Sequence, residues 1–131
     1  MAGNRELNME TKHILLVEDN GDITELLRTL FENNGYRFTA LAEADDIVST
    51  VRELRPDLII TDYILEGING GEYCSALKRG TDTAHLPVII LSGYGKLLGS
   101  LGDYGADRII EKPFDNDELI SAVSSLLAVS R

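Results

Sequence analysis

The chain has 131 residues, 44% hydrophobic and 26% charged, which is enough to bury one core and fits neither a disordered nor a fibrous composition. A formal net charge of −10 disfavours direct contact with nucleic acid or anionic lipid, and a single cysteine, Cys74, excludes an internal disulfide or a cysteine metal cluster. No apolar run approaches the length of a bilayer span, and the polar stretch from Met1 to Lys12 lacks the apolar centre of a signal peptide, so a cytoplasmic setting is expected.

Residues 1–12 read as a loose polar tail, and one domain is expected over 13–131. His13-Ile14-Leu15-Leu16-Val17 is an apolar strand candidate that runs into Glu18-Asp19. Asn20-Gly21-Asp22 offers helix-start chemistry, and Ile23, Leu26, Leu27, Leu30 and Phe31 repeat at helical spacing until Gly35. Arg37 to Ala42 alternates as an outer strand. Ile47, Val48, Val51 and Leu54 mark a second helix, with Asp45 and Asp46 placed in its first turn and Pro56 closing it.

Leu58-Ile59-Ile60-Thr61-Asp62 is the central strand, apolar throughout and ending abruptly on a carboxylate. The glycine-bearing stretch from Tyr63 to Gly71 reads as a loop, and Tyr73, Cys74 and Leu77 suggest a third helix ending near Gly80, with Cys74 a small packed hydrophobe. Pro87 to Ser92 repeats the strand pattern. Leu97, Leu98 and Leu101 form a poor helix candidate, because Gly95, Gly99, Gly102 and Gly105 interrupt it. Asp107 to Glu111 is a fifth strand leading into Lys112-Pro113-Phe114. Asp115, with Glu118 three residues on, resembles a capping box that opens a helix carrying Leu119, Ile120, Val123, Leu126 and Leu127. This alternation implies a doubly wound α/β fold, a five-stranded parallel sheet with helices on both faces in the flavodoxin-like order 2-1-3-4-5.

If the strands are parallel, one sheet edge gathers Glu18, Asp19, Asp62, Ser92 and Lys112. Clustered carboxylates repel one another, so Glu18, Asp19 and Asp62 are expected to hold a hard cation, Mg²⁺, with waters retained. The ammonium of Lys112 and the hydroxyl of Ser92 add donors for a tetrahedral dianion, and Asp62, alone at the end of the central strand, is the candidate nucleophile for an acyl phosphate. His13 and His85 have no metal or triad spacing and read as ordinary residues.

The motifs Val17-Glu18-Asp19-Asn20, Ile60-Thr61-Asp62, Leu91-Ser92 and Glu111-Lys112-Pro113-Phe114 agree in order, spacing and type with one family. Through them, nearly the whole chain after the tail resembles the receiver domain of two-component response regulators. The resemblance implies that Asp62 accepts phosphate from a phosphohistidine on a histidine kinase or histidine phosphotransfer protein, with Mg²⁺ at Glu18, Asp19 and Asp62 and phosphate contacts from Ser92 and Lys112. It implies a signalling switch rather than an enzyme, with an unnamed downstream protein; from the charge and the lack of an apolar span no direct nucleic acid or membrane contact is expected, and a monomer or weak dimer is expected. Two departures stand out. Leu65-Glu66 replaces the family's usual Met-Pro pair, although Gly70 is kept, and Ile109 occupies the position three residues before the lysine that is commonly aromatic. With the usual aromatic switch missing, the segment from Tyr94 to Gly105 is expected to carry the change, exposing or hiding Leu97, Leu98 and Tyr104. Arg131 falls where the last helix finishes, which fits a stand-alone receiver or part of a larger protein such as a hybrid kinase, and the Met1 start favours the former.

Other classes fit less well. A flavin site of this topology needs a Ser/Thr/Gly-rich phosphate loop where Glu18-Asp19-Asn20 would repel phosphate. An aspartate phosphohydrolase needs an acid/base two residues after its nucleophile, where this chain has Ile64. A pseudo-receiver that binds partners without phosphorylation is the remaining alternative, and the complete acid, serine and lysine set argues against it.

Overall fold

The three inner strands of the computed structural model, which describes residues 11–65, 68–93 and 104–129, lie where the sequence turns apolar for three or four residues running, and the two outer strands are more mixed. The elements run β1 (His13–Val17), α1 (Gly21–Asn33), β2 (Arg37–Leu41), α2 (Ile47–Leu54), β3 (Leu58–Asp62), α3 (Gly70–Arg79), β4 (Val88–Ser92), β5 (Arg108–Glu111) and α4 (Asn116–Val129). The five strands pair in parallel in the order β2-β1-β3-β4-β5, the order expected from the sequence.

The apolar runs alternate between two cores. Ile14, Leu16, Leu58, Ile60, Ile89 and Leu91 face Leu27 and Phe31 of α1 and Leu119 and Val123 of α4. Leu15, Val17, Ile59, Val88 and Ile90 face Ile47 and Val51 of α2 and Tyr73, Cys74 and Leu77 of α3. All five residues of β1, β3 and β4 are buried, as a sheet covered on both faces requires. Each fully buried Leu or Ile contributes about 1.5–3 kcal/mol of transfer free energy, which dominates the stability.

Three local expectations are corrected. Asp46 is not in the first turn of α2 but is its N-cap, its carboxylate accepting from the Ser49 N–H at 3.2 Å. Arg55, in the left-handed region at φ 53°, is the C-cap that ends that helix ahead of Pro56. Gly70 and Gly71 are not loop residues but the first turn of α3, and the loop before them carries a two-residue antiparallel ladder, Ile64–Leu65 with Ile68–Asn69. Asn20 caps α1 as expected, accepting from the Asp22 and Ile23 N–H groups at 2.9 and 3.1 Å. Asp115 caps α4 through the Asp117 N–H at 3.0 Å, without the reciprocal Glu118 bond of a capping box among the described residues. His13 is buried, its Nε2 2.8 Å from Thr39 Oγ1, and burial pushes its pKa down. The helix expected around Leu97, Leu98 and Leu101, with Tyr94, lies outside the described residues, as does the tail up to residue 10.

At the far end of the strands from the acidic residues, Lys78 closes the structure. Its Nζ donates to the carbonyls of Ala84 (3.2 Å) and Leu86 (2.8 Å) and to Asp107 Oδ2 (2.9 Å), and Asp107 Oδ2 also accepts from the Val88 N–H at 2.8 Å. One ammonium thus ties the end of α3 to the starts of β4 and β5. Lys78→Met keeps the stem and removes the bonds, so urea unfolding should show a loss of about 1.5–3 kcal/mol, with phosphoryl uptake unchanged.

Candidate functional site

The register of the sheet brings the proposed residues together. Val17 pairs with Thr61, Asp62 with Leu91, and Ser92 with Glu111, so Glu18, Asp62, Ser92 and Lys112 follow one another across adjacent strand ends. Backbone bonds hold these ends level: the Glu18 N–H donates to Leu41 O at 2.9 Å, Tyr63 N–H to Leu91 O at 2.8 Å, and Lys112 N–H to Ser92 O at 2.8 Å. Lys112 leads into a cis peptide with Pro113.

Glu18, Asp62 and Ser92 are 4%, 7% and 1% exposed, whereas Asp19 is exposed. The sequence presents Glu18 and Asp19 as an equivalent pair, but the alternation of the strand turns only the first inward. One Glu18 oxygen accepts from the Asn20 N–H at 3.1 Å, and the other, Oε1, is buried without a hydrogen-bond partner. Burial pushes the Glu18 carboxyl above its ordinary range; the Asn20 N–H opposes this, the Asp62 charge adds to it, Lys112 opposes it, and Asp19 adds again. Asp62 is also raised, chiefly by burial and against the hydrogen bond and charge of Lys112, with Asp19 contributing repulsion.

Lys112 stands where the two buried carboxylates meet. Its Nζ is 2.5 Å from Asp62 Oδ1 and 3.8 Å from Glu18 Oε1, the second distance too long for a hydrogen bond. Sequence reasoning assigned this ammonium to an incoming phosphate and missed that it is the counter-ion of the Asp62 carboxylate. Among the described residues, no three acidic, histidine or cysteine side chains are already closed around a cation position. The donor chemistry nevertheless fits a hard divalent ion: three carboxylates feel one another's charge, two are buried, and one buried oxygen lacks a partner. A cleft of about 330 Å³ beside Glu18 and Asp19, lined also by Thr24, Arg28 and Ala40, gives the acidic pair access to solvent.

Gly70, kept in the sequence pattern, has a role beside Asp62 that the sequence did not show. A Cβ on Gly70 would lie 2.0 Å from Asp62 O and 2.7 Å from Thr61 Oγ1, so α3 starts directly against the backbone of the central strand end. The spacing of Gly70 from Asp62 was visible, but nothing local distinguished a glycine needed for close approach from one making a turn.

Fold and site together define a doubly wound α/β domain with buried carboxylates, a serine and a lysine at the C-terminal ends of its strands. Residues 14–124 match the response regulator receiver domain, and the chain belongs to that family. A relative is the phosphate regulon transcriptional regulatory protein PhoB of Rhizobium meliloti (strain 1021), 33% identical over 116 residues that make up 87% of this chain and 51% of that protein. This chain therefore spans about half the length of the curated relatives it matches. Among solved structures, a putative response regulator from Chloroflexus aurantiacus J-10-fl superposes with a TM-score of 0.83 at 26% identity, covering 91% of this chain and 99% of that one. The response regulator TrrA of Thermotoga maritima, solved in complex with Mg(2+)-BeF, superposes with a TM-score of 0.79 at 28% identity, covering 88% of this chain and 99% of that one. No helix among the described residues is long and apolar enough to cross a membrane.

Proposed function

We propose that this chain is a phosphorylation-controlled switch in which Asp62 takes a phosphoryl group from a phosphohistidine of a histidine kinase or phosphotransfer protein. The observation that carries this reading is the Lys112 ammonium held against Asp62 Oδ1 and beside Glu18 Oε1 at the strand ends. A carboxylate oxygen of Asp62 attacks phosphorus in line, and the P–N bond to the donor imidazole breaks with its electron pair leaving on nitrogen. Glu18, Asp19 and Asp62 are the residues that would hold Mg²⁺, the ion with which TrrA was solved as a complex with Mg(2+)-BeF. Bound there, the ion supplies positive charge toward the phosphoryl oxygens. The Ser92 hydroxyl donates to one of those oxygens, and Lys112 exchanges the Asp62 oxygen for another, so its charge follows the phosphoryl group onto the protein. On this reading the chain turns over nothing beyond its own phosphoryl group, and its partners are a phosphohistidine protein and a downstream protein.

Incubation with acetyl phosphate tests it, because a small donor needs no partner protein. With Mg²⁺ the protein should gain one phosphoryl group that is acid-stable and released by hydroxylamine, and with chelator none. Absence of labelling at saturating Mg²⁺ would leave the chain an interaction module without phosphorylation.

A further inference from the structure

At the end of the sheet opposite Asp62, the last turn of α2 and the turn between α3 and β4 enclose a cavity of about 450 Å³. Its floor is apolar, made by Val51 and Pro56, both buried, and by the half-buried Leu86. Its rim carries Arg52, Arg55, Asp82 and His85, all exposed. The wall from the α3–β4 turn is preformed: Thr83 Oγ1 donates to Leu77 O at 2.7 Å, the Ala84 N–H to Gly80 O at 2.9 Å, and Lys78 Nζ to Leu86 O at 2.8 Å.

The one carboxylate of the rim is already matched, because Asp82 is gripped by the fork of Arg52, with Nε 2.8 Å from Oδ2 and Nη2 3.0 Å from Oδ1. Neighbouring acids are engaged elsewhere: Asp57 accepts from the His13 N–H at 2.7 Å, and Glu53 lines a separate cleft with Asp45 and Asp46. The side chains of Arg55 and His85 make no hydrogen bond or salt bridge among the described residues, although the charge of His85 acts on Asp82. Arg55 also sits on a strained backbone. Its φ of 53° and ψ of 54° are left-handed, the helix-ending conformation that glycine adopts freely and a side chain resists. A glycine would end α2 with less strain, so the fold alone gives no reason for a long cation there.

We propose that this cavity is a second binding site, for an organic oxyanion: a phosphate ester or carboxylate carried on an apolar body. The guanidinium N–H groups of Arg55 and an imidazole N–H of His85 are its donors, joined by the N–H groups that Arg52 does not direct at Asp82. Val51, Pro56 and Leu86 receive the apolar part, in a volume suited to one ring or a short chain. In a chain of net charge −10, cationic side chains here outnumber the carboxylate beside them. The site lies at the other end of the strands from the acidic residues and needs no phosphoryl group at Asp62, so it stands independently of the proposed function.

The test is an NMR titration of the full chain with phenyl phosphate in chelator, where Glu18, Asp19 and Asp62 without a cation repel the same probe. The wild type should saturate with a dissociation constant on the order of 1 mM. The His85 ring resonances should move, and the Asp62 amide should not. Inorganic phosphate and phenol, each carrying one part of the probe, should bind roughly tenfold more weakly or less. Benzoate is the second arm: binding tighter than phenyl phosphate assigns the site to carboxylates, and weaker binding assigns it to phosphate esters. Arg55→Gly removes the guanidinium and relaxes the backbone at once, so it should bind phenyl phosphate roughly five- to tenfold more weakly while melting no lower than the wild type. Asp82→Asn, which removes the negative charge of the rim, should bind it more tightly. Wild-type affinity in Arg55→Gly, inorganic phosphate bound as tightly as phenyl phosphate, or shifts at Asp62 in place of His85 would each overturn the proposal.

Discussion

Asp62→Asn takes up no phosphoryl group from acetyl phosphate at any Mg²⁺ concentration, and in chelator near neutral pH it melts at a higher temperature than the wild type. The first outcome follows because an amide oxygen is a far weaker nucleophile than a carboxylate and cannot form the acyl phosphate. The second follows from burial. Asp62 is 7% exposed, and its carboxyl is raised from an ordinary 3.8 by desolvation that the Lys112 contact offsets only in part. A carboxyl raised on folding binds its proton more tightly in the native state, so its contribution to stability is present below 3.8 and lost as pH rises through the folded value. At neutral pH the wild type carries this cost, and the asparagine does not. For a domain of this size each kcal/mol recovered raises the melting temperature by about 3–6 °C. The gap between variant and wild type should close in acid, where both side chains are neutral. A variant less stable than wild type at neutral pH would mean that the Lys112 pair outweighs burial. On the proposed function, site chemistry and stability are opposed at this residue, and a bound cation would relieve the opposition.

The parts of this protein legible in its sequence are those set by burial on both sides of a sheet. Leu58 to Thr61 and Ile14 to Val17 could hardly be other than covered strands, because their apolar residues show no alternation that would leave one face to water. Once two such strands end on acid, parallel topology alone places Glu18 and Asp62 at one edge, and the register bears this out. What sequence did not disclose depends on contacts between distant segments. Glu18 and Asp19 look alike in the chain, yet one carboxylate is buried and the other exposed, a difference of strand parity at a turn. Asp46 looked like a first-turn acid but caps α2, because ends of helices shift by a residue with the capping geometry. Tyr104 is expected from sequence only as part of a segment that exposes or hides it, and the opposing Gly71 shows where its ring sits. The pairing of Lys112 with Asp62 is invisible to spacing, since it is the response of a buried carboxylate to the nearest available cation.

Gly70→Ala should lose about 2–3 kcal/mol of stability in urea unfolding, and phosphoryl uptake by the folded fraction should slow as well. The opposite sign would be expected from helix propensity, which favours alanine over glycine inside a helix by about 1 kcal/mol. Propensity loses here because the new methyl group would lie 2.0 Å from Asp62 O, a backbone oxygen that cannot swing aside as a side-chain tip can. Two relaxations are open to the chain. If α3 retreats, the 2.8 Å bond from the Gly70 N–H to Tyr63 O is broken, and the backbone that follows Asp62 loses one of its two anchors. If instead the Asp62 peptide rotates, the carboxylate turns away from Lys112 and Glu18, and on the proposed function attack geometry suffers directly. Gly21→Ala provides the control, since that glycine also opens a helix beside the site but has nothing within 4 Å of its Cβ position. It should be neutral or stabilising. Equal unfolding midpoints for the two variants would show that α3 does not abut the strand end, and that the loop after Asp62 is free to accept a side chain.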